Sequence, residues 1–213
     1  METLRQQAYR IIKDRIVCLQ VKPGERLFEA DLAKELSMGR TPVREAILML
    51  GNEKLVECND KLGYTVRKLS REEAYDYFAI RLVIEDFAIP LIIKGFTDNT
   101  IAALEQNIQR VKGYMEENDF YNIIRYETEF HGILYRTTNS KVFVEVISGL
   151  VDKFQWLRAI ALSAPGGIQQ SLDEHMRILS AYKARDILEI RKLTEAHIRD
   201  GREKFASIEH IIF

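Results

Sequence analysis

Cysteine is scarce in this chain, and the two present, Cys18 and Cys58, match no metal-ligand or redox spacing. That argues against a disulfide framework and against a cysteine-based zinc site. Long hydrophobic runs are missing too. The stretch from Phe87 to Phe96 falls short of the roughly 20 apolar residues a bilayer span needs, and Pro90 and Lys94 interrupt it. The N-terminal segment has no uninterrupted apolar core of a secretory signal, because Arg5, Arg10, Lys13, Asp14 and Arg15 are scattered through it. The chain therefore reads as cytoplasmic, with no membrane partner. Signatures of catalysis are also wanting: there is no nucleophile elbow, no phosphate loop and no His-Glu-x-x-His pair. Nor does one sign of charge dominate, since the formal net charge is −1 over 213 residues.

What is present is an ordinary globular composition, 46% hydrophobic and 30% charged, with core-forming residues to spare. The charge is unevenly placed. Residues 1–70 hold 13 Lys and Arg against 10 Asp and Glu, whereas residues 71–213 hold 18 against 22. A modestly basic front on an acidic body suits a two-domain nucleic-acid binder.

Apolar Leu4, Ala8, Ile11, Ile12, Ile16 and Leu19 recur at helical spacing and predict an amphipathic helix over 4–19. Pro23-Gly24 breaks the chain. Two short helices follow over 29–36 and 40–51, too short to persist in water unless they pack on each other. Leu55-Val56-Glu57 and Gly63-Tyr64-Thr65-Val66-Arg67, with a polar turn at Asn59-Asp60-Lys61, predict a hairpin. From Ser70 the pattern changes. Ser70 with Glu73, Ser171 with Glu174, and Asp186 with Glu189 have capping-box spacing. Helices are expected near 71–94, 98–117, 119–137, 140–162, 168–184 and 186–206. The expected fold is mainly α: a winged helix-turn-helix over 1–69 and an all-α bundle of about six helices over 70–213.

In the first of these, Leu32, Leu36, Val43, Ile47 and Leu50 can share a core, and Ala33 permits close helix approach. Pro42 is tolerated only in a first helical turn, which starts the second short helix near Gly39 to Thr41. Arg40 and Arg44 then project from one face near its N-terminus, where a recognition helix meets base edges in the major groove. An arginine fork suits guanine O6 and N7. Taken alone, such a pair also describes a solvated helix face. The whole ordered run, with Tyr9, Ile12, Ile16, Pro23-Gly24-Glu25-Arg26-Leu27, Leu32-Ala33, Arg40-Thr41-Pro42-Val43-Arg44-Glu45-Ala46, Leu50, Leu55-Val56 and Gly63, resembles the winged helix-turn-helix of the GntR family. The resemblance implies DNA contacts by Arg40, Thr41, Arg44 and the wing near Gly63. Gly39 departs from the family, which often has Ser there; Gly still serves as a cap.

Three of the four histidines fall on three different helices of the second domain. Glu127 and His131 lie four apart on one face, His175 follows the Gly-Gly loop, and His197 is in the last helix. Converging, they would suit zinc, nickel or manganese; by spacing alone they are equally ordinary core or surface groups. Residues 71–206 resemble the FCD (FadR C-terminal) ligand-binding domain, through Arg81-x-x-x-Glu85, Asn118-Asp119, Glu127-x-x-Phe130-His131, Thr138-Asn139, Glu174-His175 and Ala196-His197-Ile198. Six helices match the shorter, VanR-like branch. The resemblance implies a metal, zinc foremost, on Glu127, His131, His175 and His197, with Glu127 standing where the family usually has Asp. It also implies a small organic carboxylate as effector, held by the metal and by an arginine. Arg81 is the candidate, with an internal salt bridge to Glu85 as its alternative role. The expected protein is a homodimeric repressor on a palindromic operator. Two other readings stand beside it: a metal-responsive regulator without organic effector, and, remotely, a zinc-dependent hydrolase.

Overall fold

The computed structural model describes residues 2–59 and 63–212, and these divide into two compact units, one running to Ser70 and including the residues from Ile211 on, the other Arg71–His210. In the N-terminal unit the order is α1 (Leu4–Val17), β1 (Arg26–Leu27), α2 (Glu29–Glu35), α3 (Arg40–Asn52), β2 (Val56–Asn59) and β3 (Gly63–Val66). Thr3 opens α1 through a capping box: its hydroxyl accepts from the Gln6 N–H, and the Gln6 side chain accepts from the Thr3 N–H at 2.9 Å. Ala8, Ile12 and Ile16 then fall on one buried stripe. That stripe packs chiefly on α3, whose Val43, Ala46, Ile47 and Leu50 are fully buried. Each such Ile or Leu contributes about 1.5–3 kcal/mol of burial free energy, which is what holds a seven-residue α2 beside them.

The strands form one antiparallel sheet in the order β1-β3-β2, with Arg26 opposite Thr65, Val56 opposite Val66 and Asn59 opposite Gly63. Gly63 has φ of +72°, in the left-handed region where a side chain is strained. The hairpin is thus as expected, and β1 is an addition, since two residues are too few to display alternation. The expected turn at Asp60 and Lys61 lies outside the described residues.

The second unit contains α4 (Arg71–Gly95), α5 (Asp98–Glu116), α6 (Phe120–Thr137), α7 (Lys141–Ser163), α8 (Gly167–Ala184) and α9 (Ile187–Ile212). Thr97, Asp119 and Ser140 accept from the N–H groups of Thr100, Asn122 and Phe143 and so start α5, α6 and α7. Asp186 likewise accepts from the Glu189 N–H at 3.0 Å. The expected cap at Ser171 is overturned. Helix α8 begins at Gly167, so Ser171 lies one turn inside it, free to turn its hydroxyl inward.

Along α7, Phe154, Trp156, Leu157 and every residue from Arg158 to Leu162 are buried, the pattern of a helix enclosed on all sides. At the end of α4, a Cβ on Gly95 would stand 2.1 Å from the Thr137 carbonyl oxygen, so only glycine permits this approach. The ends of α4 and α6 are thereby drawn together, and Arg81 and Glu85 face His131 and Tyr135 across the bundle.

Candidate functional site

Histidines 131, 175 and 197 come from α6, α8 and α9 and converge in the interior of the second unit, with their ligating nitrogens all within 4.8 Å of one another. All three are buried. The Nε2 atoms of His131 and His175 are 3.2 Å apart. Two imidazoles on one tetrahedral zinc, each at 2.0–2.1 Å, would place their nitrogens about 3.3 Å apart. Phe130 stacks on His175 with ring centroids 4.0 Å apart and planes within 5°, which fixes that ring's orientation.

Each imidazole has a carboxylate behind its Nδ1. Glu174 Oε2 lies 2.7 Å from His197 Nδ1, Glu85 Oε1 lies 3.3 Å from His131 Nδ1, and Glu127 Oε2 lies 3.6 Å from His175 Nδ1. The hydrogen bond to Glu174 sets the tautomer of His197 and turns its other nitrogen inward, while Glu85 and Glu127 stand within ion-pairing distance of His131 and His175. Burial lowers all three histidines from their ordinary value, most strongly His131 and His175. Near neutral pH they are therefore neutral imidazoles, the form that donates a lone pair to a cation.

Glu127 is fully buried. Its Oε2 accepts from the Ser171 hydroxyl at 2.6 Å, while Oε1 has no hydrogen-bond partner. Burial pushes its carboxyl up to about 7. A buried carboxylate oxygen with nothing to bind is costly, and a cation is one partner that would satisfy it. The three neutral imidazoles fit a divalent transition metal, whereas Glu127 is not part of their converging group and approaches it only through Oε2, 3.6 Å from His175 Nδ1.

Arg81 makes the internal salt bridge to Glu85 that was the alternative to its effector role. Its Nε donates to Glu85 Oε1 at 3.0 Å, and its Nη2 lies 3.0 Å from His131 Nε2. Burial alone would raise Glu85, yet His131 and Arg81 beside it hold it well below the usual carboxylate range. The Tyr135 hydroxyl also donates to Glu85, at 2.8 Å. Arg81 thus holds its guanidinium against the nitrogen that a metal would use.

The structure also brings in residues to which the sequence assigned no site role: Glu85, Tyr135, Arg158, Ser171 and Glu174. A lone arginine in the apolar run Phe154 to Leu162 was the available signal for Arg158. Glu85 and Glu174 stand in the quoted motifs, but their pairing with histidines of other helices is invisible to spacing.

In the first unit, Gly39 caps α3, so Arg40, Thr41 and Arg44 occupy its opening turns, and all three are exposed. Gly63 is exposed at the start of β3. Arg44 is not a bare cation: its Nε and Nη2 each lie 2.9 Å from a Glu29 carboxylate oxygen, a bidentate pair that raises the guanidinium's pKa.

Both units have counterparts among known proteins. The profile of the bacterial regulatory proteins of the gntR family matches residues 4–66, and that of the FCD domain matches residues 76–200. The chain belongs to the GntR family, with an FCD domain. Over 210 residues it is 25% identical to the transcriptional repressor RspR of Escherichia coli strain K12, covering 97% of this chain and 91% of RspR. The regulator YdhC of Bacillus subtilis strain 168 is 24% identical over 207 residues, 97% of this chain and 91% of its own. The solved structure of E. coli McbR/YncC superposes with a TM-score of 0.84 at 23% identity, covering 98% of this chain and all of that one. This GntR protein is therefore a DNA-binding transcription regulator of mainly helical fold, and the hydrolase reading falls, because its relatives are regulators and not enzymes. Among the described residues no helix is long and apolar enough to cross a membrane.

Proposed function

We propose that this regulator is a repressor whose grip on operator DNA is set by a small organic acid bound at a metal-containing pocket in the FCD domain. One observation carries the reading: three buried, neutral histidines converge at metal-ligand spacing with a carboxylate behind each. His131, His175 and His197 would hold the ion, zinc foremost with nickel or manganese as substitutes, and Glu127 would supply a fourth ligand through its unpartnered Oε1. The bound ion would supply positive charge and open coordination positions for a carboxylate. Arg81 would contribute a second cationic contact to that carboxylate while remaining tied to Glu85.

On the DNA side, Arg40, Thr41 and Arg44 read base edges from the start of α3, and the wing at Gly63 touches the backbone. The pairing with Glu29 pre-orients Arg44 and must be exchanged for a base edge on binding. Two copies on a palindrome would double every contact, so the protein is read as a homodimer acting in the cytoplasm. Repression follows the naming of the similar RspR.

A second reading, a metal-responsive regulator without organic effector, is favoured by the contact of Arg81 with His131 Nε2. An ion must displace that guanidinium, so metal alone would rearrange the pocket. Binding-site selection from random DNA, repeated with chelator, with zinc, and with zinc plus a panel of carboxylic acids, separates the two. The proposal expects a palindromic site whose retention falls only when an acid is added. Release by zinc alone would favour the sensor, and recovery of no preferred sequence would refute both.

A further inference from the structure

Arg158 lies on α7 and is buried. Its Nη1 donates to the Thr128 hydroxyl at 2.8 Å, and its Nε has no hydrogen-bond partner. Among the described residues no carboxylate reaches ion-pairing distance of it. Arg81, by contrast, is held by Glu85. A guanidinium buried with no carboxylate in ion-pairing reach is costly, and burial and the positive charge of Arg81 lower its pKa to about 10 against the opposing pull of Tyr135, Glu127 and Glu85. An anion seated beside it would offset that cost.

A space for that anion adjoins it. Between α6 and α7 lies a cavity of about 190 Å³. Its lining includes Arg158, His131 and Tyr135 together with the apolar Val144, Ile147, Val151 and Phe154. The exposed ion pair of Glu129 and Arg136 also borders it, so it opens to solvent. A cavity of about 150 Å³ accepts a benzene-sized guest, and drug-sized ligands need roughly 300 Å³ or more. The occupant is therefore a molecule with one anionic end and a short apolar body. Apolar walls penalise a polyhydroxylated chain, whose hydroxyls would be buried without partners.

We propose that Arg158 is the anion-binding residue of this cavity and that its ligand is a small apolar monocarboxylic acid, branched aliphatic or aromatic, with its carboxylate on the Arg158 fork and its body against α7. This rests on reading the domain as acid-responsive. It adds Arg158, a residue outside the motifs quoted above, to the contacts made with the acid's carboxylate, and it specifies the character of the acid.

The test uses the full-length protein and calorimetric titration with benzoate, 3-methylbutanoate, the neutral isostere benzamide, and gluconate. Wild type should bind benzoate and 3-methylbutanoate well above benzamide and gluconate. Arg158→Met should weaken benzoate by roughly 10- to 100-fold, the loss of a hydrogen-bonded charged partner, and leave benzamide unchanged. Val151→Phe, which fills the cavity from a half-buried position, should abolish benzoate binding with Arg158 intact, and it keeps the proposal testable if the methionine variant does not fold. Equal benzoate affinity in wild type and Arg158→Met would overturn the proposal. So would gluconate binding equally to both, though that result leaves the acid-responsive reading standing. If no acid of either kind binds wild type, the proposal and that reading fail together.

Discussion

Replacing Glu127 by glutamine should stabilise the metal-free protein, and should do so more at high pH than at low. The carboxyl moves from an ordinary 4.5 to about 7 because burial penalises its charged form. For an acid whose folded value is raised, the stabilising contribution is complete below the unfolded value and is lost as pH rises through the folded one. At about 1.4 kcal/mol for each pH unit, ionising Glu127 inside the fold costs about 3 kcal/mol at pH 8. At pH 5.5 most of that cost is avoided, because the folded group is protonated, and about 1 kcal/mol remains. Glutamine keeps the shape and can still accept from Ser171, but has no charge to bury. Wild type and Glu127→Gln, both stripped of metal, should therefore differ in unfolding free energy by about 2 kcal/mol more at pH 8 than at pH 5.5, roughly 4–8 °C in Tm. The histidines titrate in both proteins and cancel from the comparison. Scanning calorimetry at the two pH values checks it. A stability difference that does not change with pH would show that Glu127 is not held in the protonated form and would refute the burial argument.

Three further outcomes follow from the same geometry. Glu174→Gln removes the carboxylate 2.7 Å from His197 Nδ1 and should weaken metal binding by roughly 10- to 100-fold, read by competition with a fluorescent chelator; unchanged affinity would detach Glu174 from the site. Arg44→Ala should cost about 1–3 kcal/mol of base discrimination per half-site with circular dichroism unaltered, and an unchanged footprint would remove Arg44 from the interface. Leu50→Ala, at a fully buried position in α3, should destabilise the N-terminal unit by about 2–5 kcal/mol; a loss under 1 kcal/mol in urea denaturation would mean that α3 is packed less tightly than its burial indicates.

Most of the helical framework was legible because long amphipathic periods and side-chain caps are local signals. The expectation over 98–117 against α5 at Asp98–Glu116 shows how closely period and cap define a helix. The misses share a cause: each depends on what lies across the bundle. Strand β1 exists only because Arg26 and Leu27 pair with β3, and nothing in two residues announces that. Ser171 has cap spacing with Glu174, yet the Ala164-to-Gly167 turn starts α8 earlier and leaves the hydroxyl to Glu127. Of the site, the histidines were legible as types with a family pattern. Their carboxylate partners were not, because Glu85 meets His131 forty-six positions away and Glu174 meets His197 from another helix. The ion pair of Arg44 with Glu29 was equally hidden, since α2 and α3 must pack before those residues meet.

The central claim is that the three histidines form a metal centre, and metal content per protomer tests it most directly. Wild type and His175→Ala, purified without chelator or nickel affinity resin, would be measured by plasma mass spectrometry. The account predicts near-stoichiometric zinc, nickel or manganese in wild type and its loss in the variant. Wild type that holds no metal after dialysis against all three would contradict it.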